Sequence, residues 1–338
     1  MYDLIIKNVK IIDGLKNPSY IGNIAISNGK IILSPSDLEG SQQIIDGTNL
    51  CVSPGFIDVH SHGDIALGKD FTTLCKVSQG ITTDIAGQCG FTSFPVNPNT
   101  LDLLQEDLSI FTDNFDDNMK RFTSFKKYLD YSSKFDLTYN TMFLIGHCTL
   151  RTAVMGFENR KPTSKELDKM KDLVREAMEN GCIGLSSGLI YTPGVYSQTE
   201  ELIELCKVVK EYNGRYVTHM RSESDKLLEA VKEAIYIAET AGVPLGISHY
   251  KVQGKSNWGL PKQGLQLIEQ AISRGMEITI DQYPYESGMT HLYVSIPPKY
   301  ISNGIGELIN LLKDKNIREE IKSEMINPTT EFENYYIC

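Results

Sequence analysis

The sequence predicts an α/β fold: a (β/α)8 barrel of the TIM type, of which strands one to seven are present, with a small β-sandwich portion at the N-terminus. Two observations predict the barrel. From Pro54 onwards, short runs of β-branched residues alternate with segments of helical period, which is typical of βαβ units and a parallel sheet. No glycine-rich phosphate loop follows the first of these strands, which argues against a doubly wound sheet.

The first 50 residues predict the small N-terminal portion. Three short apolar runs are separated by Asp-Gly and Asn-Gly turn signals, and this pattern favours a small antiparallel β unit. We therefore divide the chain into residues 1–50, a barrel over residues 51–285, and the start of an insertion between strands seven and eight over residues 286–338.

Seven strands and four helices can be placed in the barrel. The strands are VSPGFIDVH, TTDIAG, YNTMFLIG, CIGLSS, RYVTHM, VPLGISHY and EITIDQY. Apolar periodicity predicts helices over 165–180, 223–241 and 263–274. A further helix is predicted to begin at Ser197 and Glu200, which have the spacing of a capping box, and to end at Gly214. The active site of such a barrel lies at the carboxyl ends of its strands.

The overall composition excludes several classes of protein. A formal charge of −10 and a pI near 5.2 argue against a nucleic-acid surface. No apolar run approaches the roughly 18 residues of a membrane-spanning helix. The seven cysteines are odd in number and scattered, which fits a reducing compartment better than a disulfide framework. We expect a cytoplasmic enzyme that acts on a small molecule, with neither nucleic acid nor membrane as a partner.

Five metal-binding side chains stand at the ends of predicted strands. His60 and His62 are separated by one residue, so both point to the same face of the first strand. Cys89, His219 and His249 end the second, fifth and sixth strands, which converge on one mouth of a barrel. A thiolate and two imidazoles suit Zn²⁺ and leave one position for water. Each residue alone also fits an ordinary core position, so the prediction depends on all five.

The order of the motifs makes the hypothesis specific. The segments PGFIDVHSHGD, GITTDIAGQCGFT, LIGHCTLRTAVMG, GLSSGLIYTPG, VTHMRSE, ISHYK with NWG, and DQYPYESG resemble, in order and spacing, the N-acyl-D-amino-acid deacylases of the metal-dependent amidohydrolase superfamily. The opening DLIIKNVKIIDG resembles the superfamily's N-terminal β-sandwich strand. The resemblance implies a tight zinc site at Cys89, His219 and His249 and a weaker second metal position at His60 and His62. Whether one or two zinc ions bind stays open.

The resemblance also implies the hydrolysis of N-acyl-D-amino acids to a carboxylate and a free D-amino acid. Lys251 is similar in position to a lysine that holds the substrate carboxylate, and Tyr191 matches a tyrosine beside it; Arg221 is a weaker candidate. Zinc lowers the pKa of a bound water to about 7 and polarises the amide carbonyl. Tyr283 and Tyr285 are candidates to donate a hydrogen bond to the oxyanion. We expect the two to point to opposite faces, so that at most one serves.

One residue that the resemblance implies is missing. The superfamily has a general-base aspartate at the end of the eighth strand, and no such residue follows the seventh strand here, where the final NYYIC predicts a strand cut short. Asp281 lies within the seventh strand and is predicted to make a structural contact. Either the chain is a fragment of a longer product, or another chain closes the open apolar edge of the seven-stranded barrel. If that chain is a second copy, the protein is a homo-oligomer.

Two other functions stay open. The first is another reaction of the superfamily, such as that of a cyclic amidase or a dipeptidase. Against it, the fourth strand, CIGLSSGL, has no lysine, so the carboxylated-lysine bridge of dihydroorotases and hydantoinases is absent. The second is a catalytically inactive metal-binding module, which the missing aspartate favours. Neither the side chain nor the acyl group of a substrate is predicted.

Overall fold

The structure is a computed structural model that describes residues 2–41, 43–66, 70–112, 115 and 117–325. It divides into two compact units, Met1–Phe56 and Ile57–Cys338. The strand predicted for NYYIC lies outside the described residues. Among the helices that the structure describes, none has the length and apolar character needed to cross a membrane.

The first unit is a single mixed β-sheet. Strands β1 and β2 and strands β2 and β3 pair antiparallel, and the Asn28–Gly29 turn between β2 and β3 has the two positive φ angles of a type I′ hairpin. Both β4 and β5 pair parallel to β1, so the predicted antiparallel arrangement of residues 1–50 is wrong for β4. β5 lies in the segment assigned to the barrel from the sequence. Turn signals predict tight hairpins between strands that follow each other in the chain. They do not predict the longer connection from β3 to β4, which lies on the other side of β1 in the sheet. The strands are β1 (Leu4–Ile11), β2 (Tyr20–Ser27), β3 (Lys30–Leu33), β4 (Ile44–Asp46) and β5 (Cys51–Val52).

The second unit is built on strands that neighbour one another in chain order. Two sheets have the orders β6-β7-β8 and β9-β10-β11-β12-β13. All pairs from β9 to β13 are parallel, as is the pair of β7 with β8. The strands are β6 (Phe56–Asp58), β7 (Ile81–Ala86), β8 (Asn140–Phe143), β9 (Ile145–Gly146), β10 (Gly184–Gly188), β11 (Arg215–His219), β12 (Leu245–Ile247) and β13 (Ile278–Ile280).

Each of the seven predicted barrel strands has an observed counterpart, and the predicted α/β class is confirmed. The third predicted strand is divided at Leu144 into β8 and β9, which belong to different sheets. Apolar side chains are exposed on both end strands of the series: Ile57 on β6 is 60% exposed and Ile280 on β13 is 46% exposed.

Helices alternate with these strands, and the four predicted helices correspond to α5–α8. The α-helices are α1 (Asp70–Val77), α2 (Leu101–Leu108), α3 (Phe125–Ser132), α4 (His147–Met155), α5 (Ser164–Glu179), α6 (Thr199–Glu211), α7 (Leu227–Ala241), α8 (Leu260–Ser273), α9 (Ile305–Leu311) and α10 (Lys315–Met325). Short 3-10 turns lie at Gly63–Ala66, Pro98–Thr100, Met119–Arg121, Gly194–Tyr196, Lys255–Asn257, Leu292–Ser295 and Pro298–Tyr300.

The capping box predicted for α6 is wrong. Ser197 Oγ donates to the carbonyl oxygen of Gly194 at 2.6 Å, because a 3-10 turn directly precedes the helix and competes for the hydroxyl. The N-cap of α6 is Gln198, whose side chain makes no capping bond. A capping box does form at α5, where the side chains of Thr163 and Glu166 each bind the other residue's backbone N–H.

The apolar stripe of α5 shows how the sequence pattern becomes core. Met170, Val174 and Ala177 recur at helical spacing and are fully buried, whereas the opposite face is charged. Burying each of the larger side chains contributes about 1.5–3 kcal/mol relative to leaving it exposed. The helix is thereby fixed against the main core cluster of the second unit.

A buried ionic cluster joins α4 to α6. Arg151 Nη1 donates to Glu201 Oε2 at 2.6 Å, and His147 Nε2 lies 2.8 Å from Glu201 Oε1. All three side chains are 3% exposed or less. Burial alone raises the pKa of Glu201, but His147 and Arg151 outweigh it and hold that pKa below its usual value. The carboxylate therefore stays charged and compensates the buried guanidinium.

We expect Glu201→Gln to lower the free energy of unfolding by about 3–5 kcal/mol, because it leaves the Arg151 charge buried without its partner. Urea denaturation at neutral pH measures the loss. Glu204→Gln on the same helix is the matched control, since Glu204 pairs with Lys171 and Lys207 at the surface and its loss should cost no more than about 1 kcal/mol. Equal midpoints for the two variants would contradict the structural role of the cluster.

Candidate metal centre

The register of the parallel strands brings the predicted ligands to one edge. Thr218 on β11 pairs with Ile247 on β12, so these two strands end at the same level. His219 is the last residue of β11, His249 follows β12 by two residues, and Asp281 follows β13 directly. The sequence placed Asp281 within the seventh strand, whereas the structure places it directly after the strand's end.

Cys89 lies in a strained turn after β7. Its φ is +55°, and the neighbouring Gly87 and Gly90 have φ of +83° and +82°. His249 also has a positive φ, of +35°. For a residue with a side chain, left-handed backbone costs on the order of 1–3 kcal/mol and persists where the surroundings impose it, most often at functional sites. Two of the five predicted ligands are held in this way.

The five predicted ligands come together in two groups that share Cys89. One group is Cys89, His219 and His249, and the other is His60, His62 and Cys89; within each group the ligand atoms all lie within 4.8 Å of one another. The Cys89 sulfur is 3.3 Å from His60 Nε2 and 3.5 Å from His249 Nε2. The rings of His219 and His249 are 4.3 Å apart.

Two carboxylates orient the imidazoles that face Cys89. Glu223 Oε1 lies 2.8 Å from Nδ1 of His249, and Asp281 Oδ2 lies 3.3 Å from Nδ1 of His60. In each ring Nδ1 faces a carboxylate, so that Nε2, directed at the sulfur, is the nitrogen left to bind a metal. A carboxylate on the distal ring nitrogen is the usual support of a metal-binding histidine.

Unpaired buried nitrogens indicate what this cluster holds. Both ring nitrogens of His219 and Nδ1 of His62 are buried and make no hydrogen bond within the part of the chain that the structure describes. Buried polar atoms nearly always have a partner, and a metal ion would provide one. A thiolate with surrounding imidazoles is a donor set that Zn²⁺ prefers. The residues present therefore fit a zinc ion.

The electrostatics of the cluster favour the form of Cys89 that binds metal. Burial raises the pKa of the thiol, but the charge of His60 and the neighbouring imidazoles outweigh it and hold the pKa well below its usual range. Burial also raises the pKa of Glu223, yet His219, His249 and Lys251 lower it to about 2. The thiolate is the form of cysteine that binds metals. The Glu223 carboxylate stays charged near it.

Comparison with known proteins shows the family. The model of the amidohydrolase family matches residues 43–313. The chain belongs to this family. It is 37% identical over 297 residues to a D-aminoacylase of Alcaligenes xylosoxydans xylosoxydans, which covers 86% of this chain and 59% of that protein. The chain thus spans less than two thirds of the length of this relative.

Solved structures of the amidohydrolase family agree. A D-aminoacylase structure, described as having a binuclear metal centre, has a TM-score of 0.76 at 35% identity and covers 84% of this chain and 59% of its own. N-acyl-D-glutamate deacylase from Bordetella bronchiseptica, complexed with zinc and a phosphonate inhibitor, has a TM-score of 0.78 at 31% identity, with 84% and 59% covered. The resemblance seen in the sequence motifs is confirmed.

The segment that carries His60 and His62 is fixed by a lysine that the sequence analysis missed. Lys76 on α1 donates to Ser61 Oγ at 2.9 Å, between the two histidines, and to Asp58 and Asp84 at 2.6 and 2.7 Å. The Asp84 side chain is fully buried. A charged residue inside the apolar run TTDIAG was the signal that could have found it, since a buried charge requires a partner.

Lys251 and Tyr191 lie beside the metal cluster. Lys251 Nζ donates to Glu223 Oε2 at 2.5 Å and lies 5.5 Å from the centre of the Tyr283 ring. The buried Tyr191 ring is 4.9 Å from the ring of His219, and its hydroxyl accepts from Thr290 Oγ1 at 3.1 Å. Glu223 itself was not singled out from the sequence. Its signal was a carboxylate four residues beyond a predicted ligand in VTHMRSE.

Arg221 is engaged elsewhere. Its guanidinium binds both carboxylate oxygens of Glu233 at 2.9 Å and donates to the backbone carbonyls of Val195 and Ser197. These bonds tie α7 to the turn after β10. The assignment of Arg221 to a substrate stays a prediction.

Tyr283 and Tyr285 of DQYPY differ in their distance from His249 and in their exposure. Their rings lie 6.4 Å apart, with 26° between the ring planes, so the two side chains share one side and do not point to opposite faces. Both residues follow the end of β13 at Ile280. Tyr283 is 6.5 Å from the His249 ring, centre to centre, and half-buried, whereas Tyr285 is 72% exposed.

We expect Cys89→Ala to weaken zinc binding greatly, because it removes the sulfur that both ligand groups share. Elemental analysis after dialysis measures the zinc retained per chain. Cys75→Ala is the matched control, since Cys75 is exposed and should leave the zinc content unchanged. Near-stoichiometric zinc in Cys89→Ala would count decisively against this site.

We expect Gly188→Ala to reduce zinc affinity by displacing Cys89. A Cβ at Gly188 would lie 2.1 Å from the Cys89 carbonyl oxygen, so the backbone of the turn must move. Gly306→Ala is the control, because a Cβ there meets nothing closer than 4.0 Å. Chelator competition compares the two variants, and wild-type affinity in Gly188→Ala would show that the close approach is not needed.

Proposed function

We propose that this chain carries the metal centre of a hydrolase that cleaves the amide bond of N-acyl-D-amino acids, giving a carboxylate and a free D-amino acid. The observation that carries the proposal is the convergence of a thiolate and four imidazoles beside Lys251 at one edge of the sheet. The D-aminoacylase and the N-acyl-D-glutamate deacylase to which the chain is similar support it.

We propose zinc as the metal, held tightly by Cys89, His219 and His249, with a second, weaker position at His60 and His62. When bound, zinc supplies Lewis acidity that polarises an amide carbonyl and makes water more acidic. The chain's own part is to hold the ligands. Glu223 Oε1 lies 2.8 Å from Nδ1 of His249, and the shared Cys89 sulfur places the two positions next to each other.

Lys251 is the proposed partner of the substrate's α-carboxylate. Its side chain is 21% exposed, and it lies within 3.2 Å of the His249 ring, so a substrate bound to it is placed against the metal ligands. Tyr191 lines the same place from the other side of His219. Tyr283 is a better candidate than Tyr285 to donate to an oxyanion, because it lies closer to His249 and is less exposed. Arg221 stays a weaker candidate.

The proton for the leaving amine must come from a general acid within hydrogen-bond reach. Asp281 is occupied by His60 Nδ1 and by the backbone N–H of His249, which it accepts at 2.6 Å. We therefore give it an orienting role. We propose that the proton-transferring carboxylate lies outside the described residues.

We also propose a cytoplasmic location. Six cysteines among the described residues are free, and two of them, Cys51 and Cys75, are exposed. Exposed thiols without a disulfide partner fit a reducing compartment.

The test is turnover of N-acetyl-D-methionine, N-acetyl-L-methionine and dihydroorotate by the zinc-loaded protein expressed from its complete gene. We expect hydrolysis of the D-substrate alone. Activity only on the ring substrate would overturn the proposal in favour of a cyclic amidase. Zinc at full occupancy with no turnover of any substrate would favour a metal-binding module.

Lys251→Met should raise the KM for N-acetyl-D-methionine by about 10- to 100-fold, because a charge-assisted hydrogen bond worth roughly 1.5–3 kcal/mol is lost. Lys207→Met is the control, since Lys207 is an exposed partner of Glu204. Unchanged steady-state kinetics in Lys251→Met would rule out this lysine as the carboxylate partner.

A further inference from the structure

Glu223 is a buried carboxylate in the connection from β11 to α7, and it is 7% exposed. Its two oxygens face two different groups. Oε1 lies 2.8 Å from Nδ1 of His249, and Oε2 accepts from Nζ of Lys251 at 2.5 Å. We propose that Glu223 is a positioning residue that fixes the metal ligand His249 and the substrate-binding Lys251 at once, an inference that rests on the proposed function for the identity of the substrate.

The hold on His249 follows from donor and acceptor chemistry. Nδ1 of His249 lies between Glu223 Oε1 at 2.8 Å and Lys251 Nζ at 3.2 Å. An ammonium group has donors only, so an Nδ1 that carries a proton can bond only to the carboxylate. Oε1 lies within hydrogen-bond distance of Nδ1 and makes no other hydrogen bond in the described chain, so a proton placed on Nδ1 gives this carboxylate oxygen its partner and leaves Nε2 unprotonated and directed at Cys89. Glu223 therefore selects the tautomer that binds zinc.

The hold on Lys251 leaves one donor for a ligand. An ammonium group has three N–H donors. Nζ of Lys251 uses one on Glu223 Oε2 and directs a second at the His249 carbonyl oxygen, 3.3 Å away. Its 3.2 Å contact with Nδ1 of His249 uses no donor when that nitrogen carries the proton, as in the proposed tautomer. The third remains, and the part of the side chain that is exposed is the part a substrate can reach. The lysine is thus oriented before a carboxylate arrives, which lowers the entropic cost of binding.

The backbone of Glu223 strengthens the same link. Its carbonyl oxygen accepts from the Gln253 N–H at 2.7 Å, which ties the loop after β11 to the loop after β12. The residue is therefore held from both sides, and its carboxylate has little freedom to move. Both functional neighbours belong to the loop that this bond fixes.

Glutamine cannot replace this carboxylate. Its amide oxygen can accept from one of the two donors, but its NH2 group is itself a donor and would face the other. A buried donor left without an acceptor is costly. Glu223→Gln therefore breaks the contact with His249 or the contact with Lys251, and weakens the one that remains because the acceptor is no longer charged.

The test uses Glu223→Gln and Glu223→Asp, with the surface variant Glu204→Gln as the matched control. Chelator competition gives zinc affinity, and steady-state kinetics at saturating zinc gives KM and kcat for N-acetyl-D-methionine. We expect zinc affinity to fall about 10- to 100-fold in both Glu223 variants. At saturating zinc, KM should rise about tenfold or more while kcat changes less. Glu204→Gln should match the wild type in all three quantities.

Wild-type zinc affinity in the Glu223 variants would overturn the inference, and so would a KM that returns to the wild-type value once zinc saturates. Glu223→Asp keeps the charge but is one methylene shorter, so it provides the test if Glu223→Gln does not fold. If the wild type hydrolyses no N-acyl-D-amino acid, the proposed function fails on its own. Zinc affinity and a crystal structure of the variant then decide the inference, because the affinity should fall and either Lys251 or the His249 ring should leave its place beside residue 223.

Discussion

The centre depends on the close approach of three backbone segments beneath Cys89. A Cβ at Gly90 would lie 2.8 Å from the Gly188 nitrogen, and one at Gly146 would lie 2.4 Å from the Gly90 carbonyl oxygen. The ends of β9 and β10 and the turn after β7 therefore touch through glycine backbones. This packing holds the turn in its left-handed conformation and fixes the sulfur where two groups of histidines meet. Both groups of proposed ligands include that sulfur.

The charges around this sulfur explain why a divalent cation fits. Cys89, Glu223 and Asp281 are acidic groups within hydrogen-bond distance of the imidazoles of His60 and His249, and the ammonium group of Lys251 contacts Glu223. Burial lowers the pKa of both rings, but Cys89 and Asp281 raise that of His60 to about 10, and Cys89 and Glu223 raise that of His249 to about 9, so protons on the two imidazoles balance the acidic groups. A divalent cation would take the place of these protons and keep the buried charge compensated. Neutral histidines with their Nε2 atoms free then provide both the ligands and the shape of the site.

Much of this could be predicted from the sequence, because it depends on local patterns. Alternation of β-branched and helical segments located the strands, and strand-end positions identified the five side chains that cluster around the Cys89 sulfur. Glu223 and Lys76 could not be found in this way, because their partners lie on other elements: 26 and 28 residues away for Glu223, and 8 to 18 residues away for Lys76. The direction of β4 was missed for a similar reason: it is set by pairing with β1 and not by the turns.

The metal centre and the exposed strand edges are separate features of the second unit. The proposed ligands follow β6, β7, β11 and β12, all within the described chain. At the mouth, His60 after β6 meets Asp281 after β13 through the 3.3 Å contact, so the first and last strands of the series are already linked there. Ile57 and Ile280, lower on the same two strands, remain exposed. Covering those side chains would add buried apolar area and stability, but the geometry that binds a metal is set by contacts that the described residues already make.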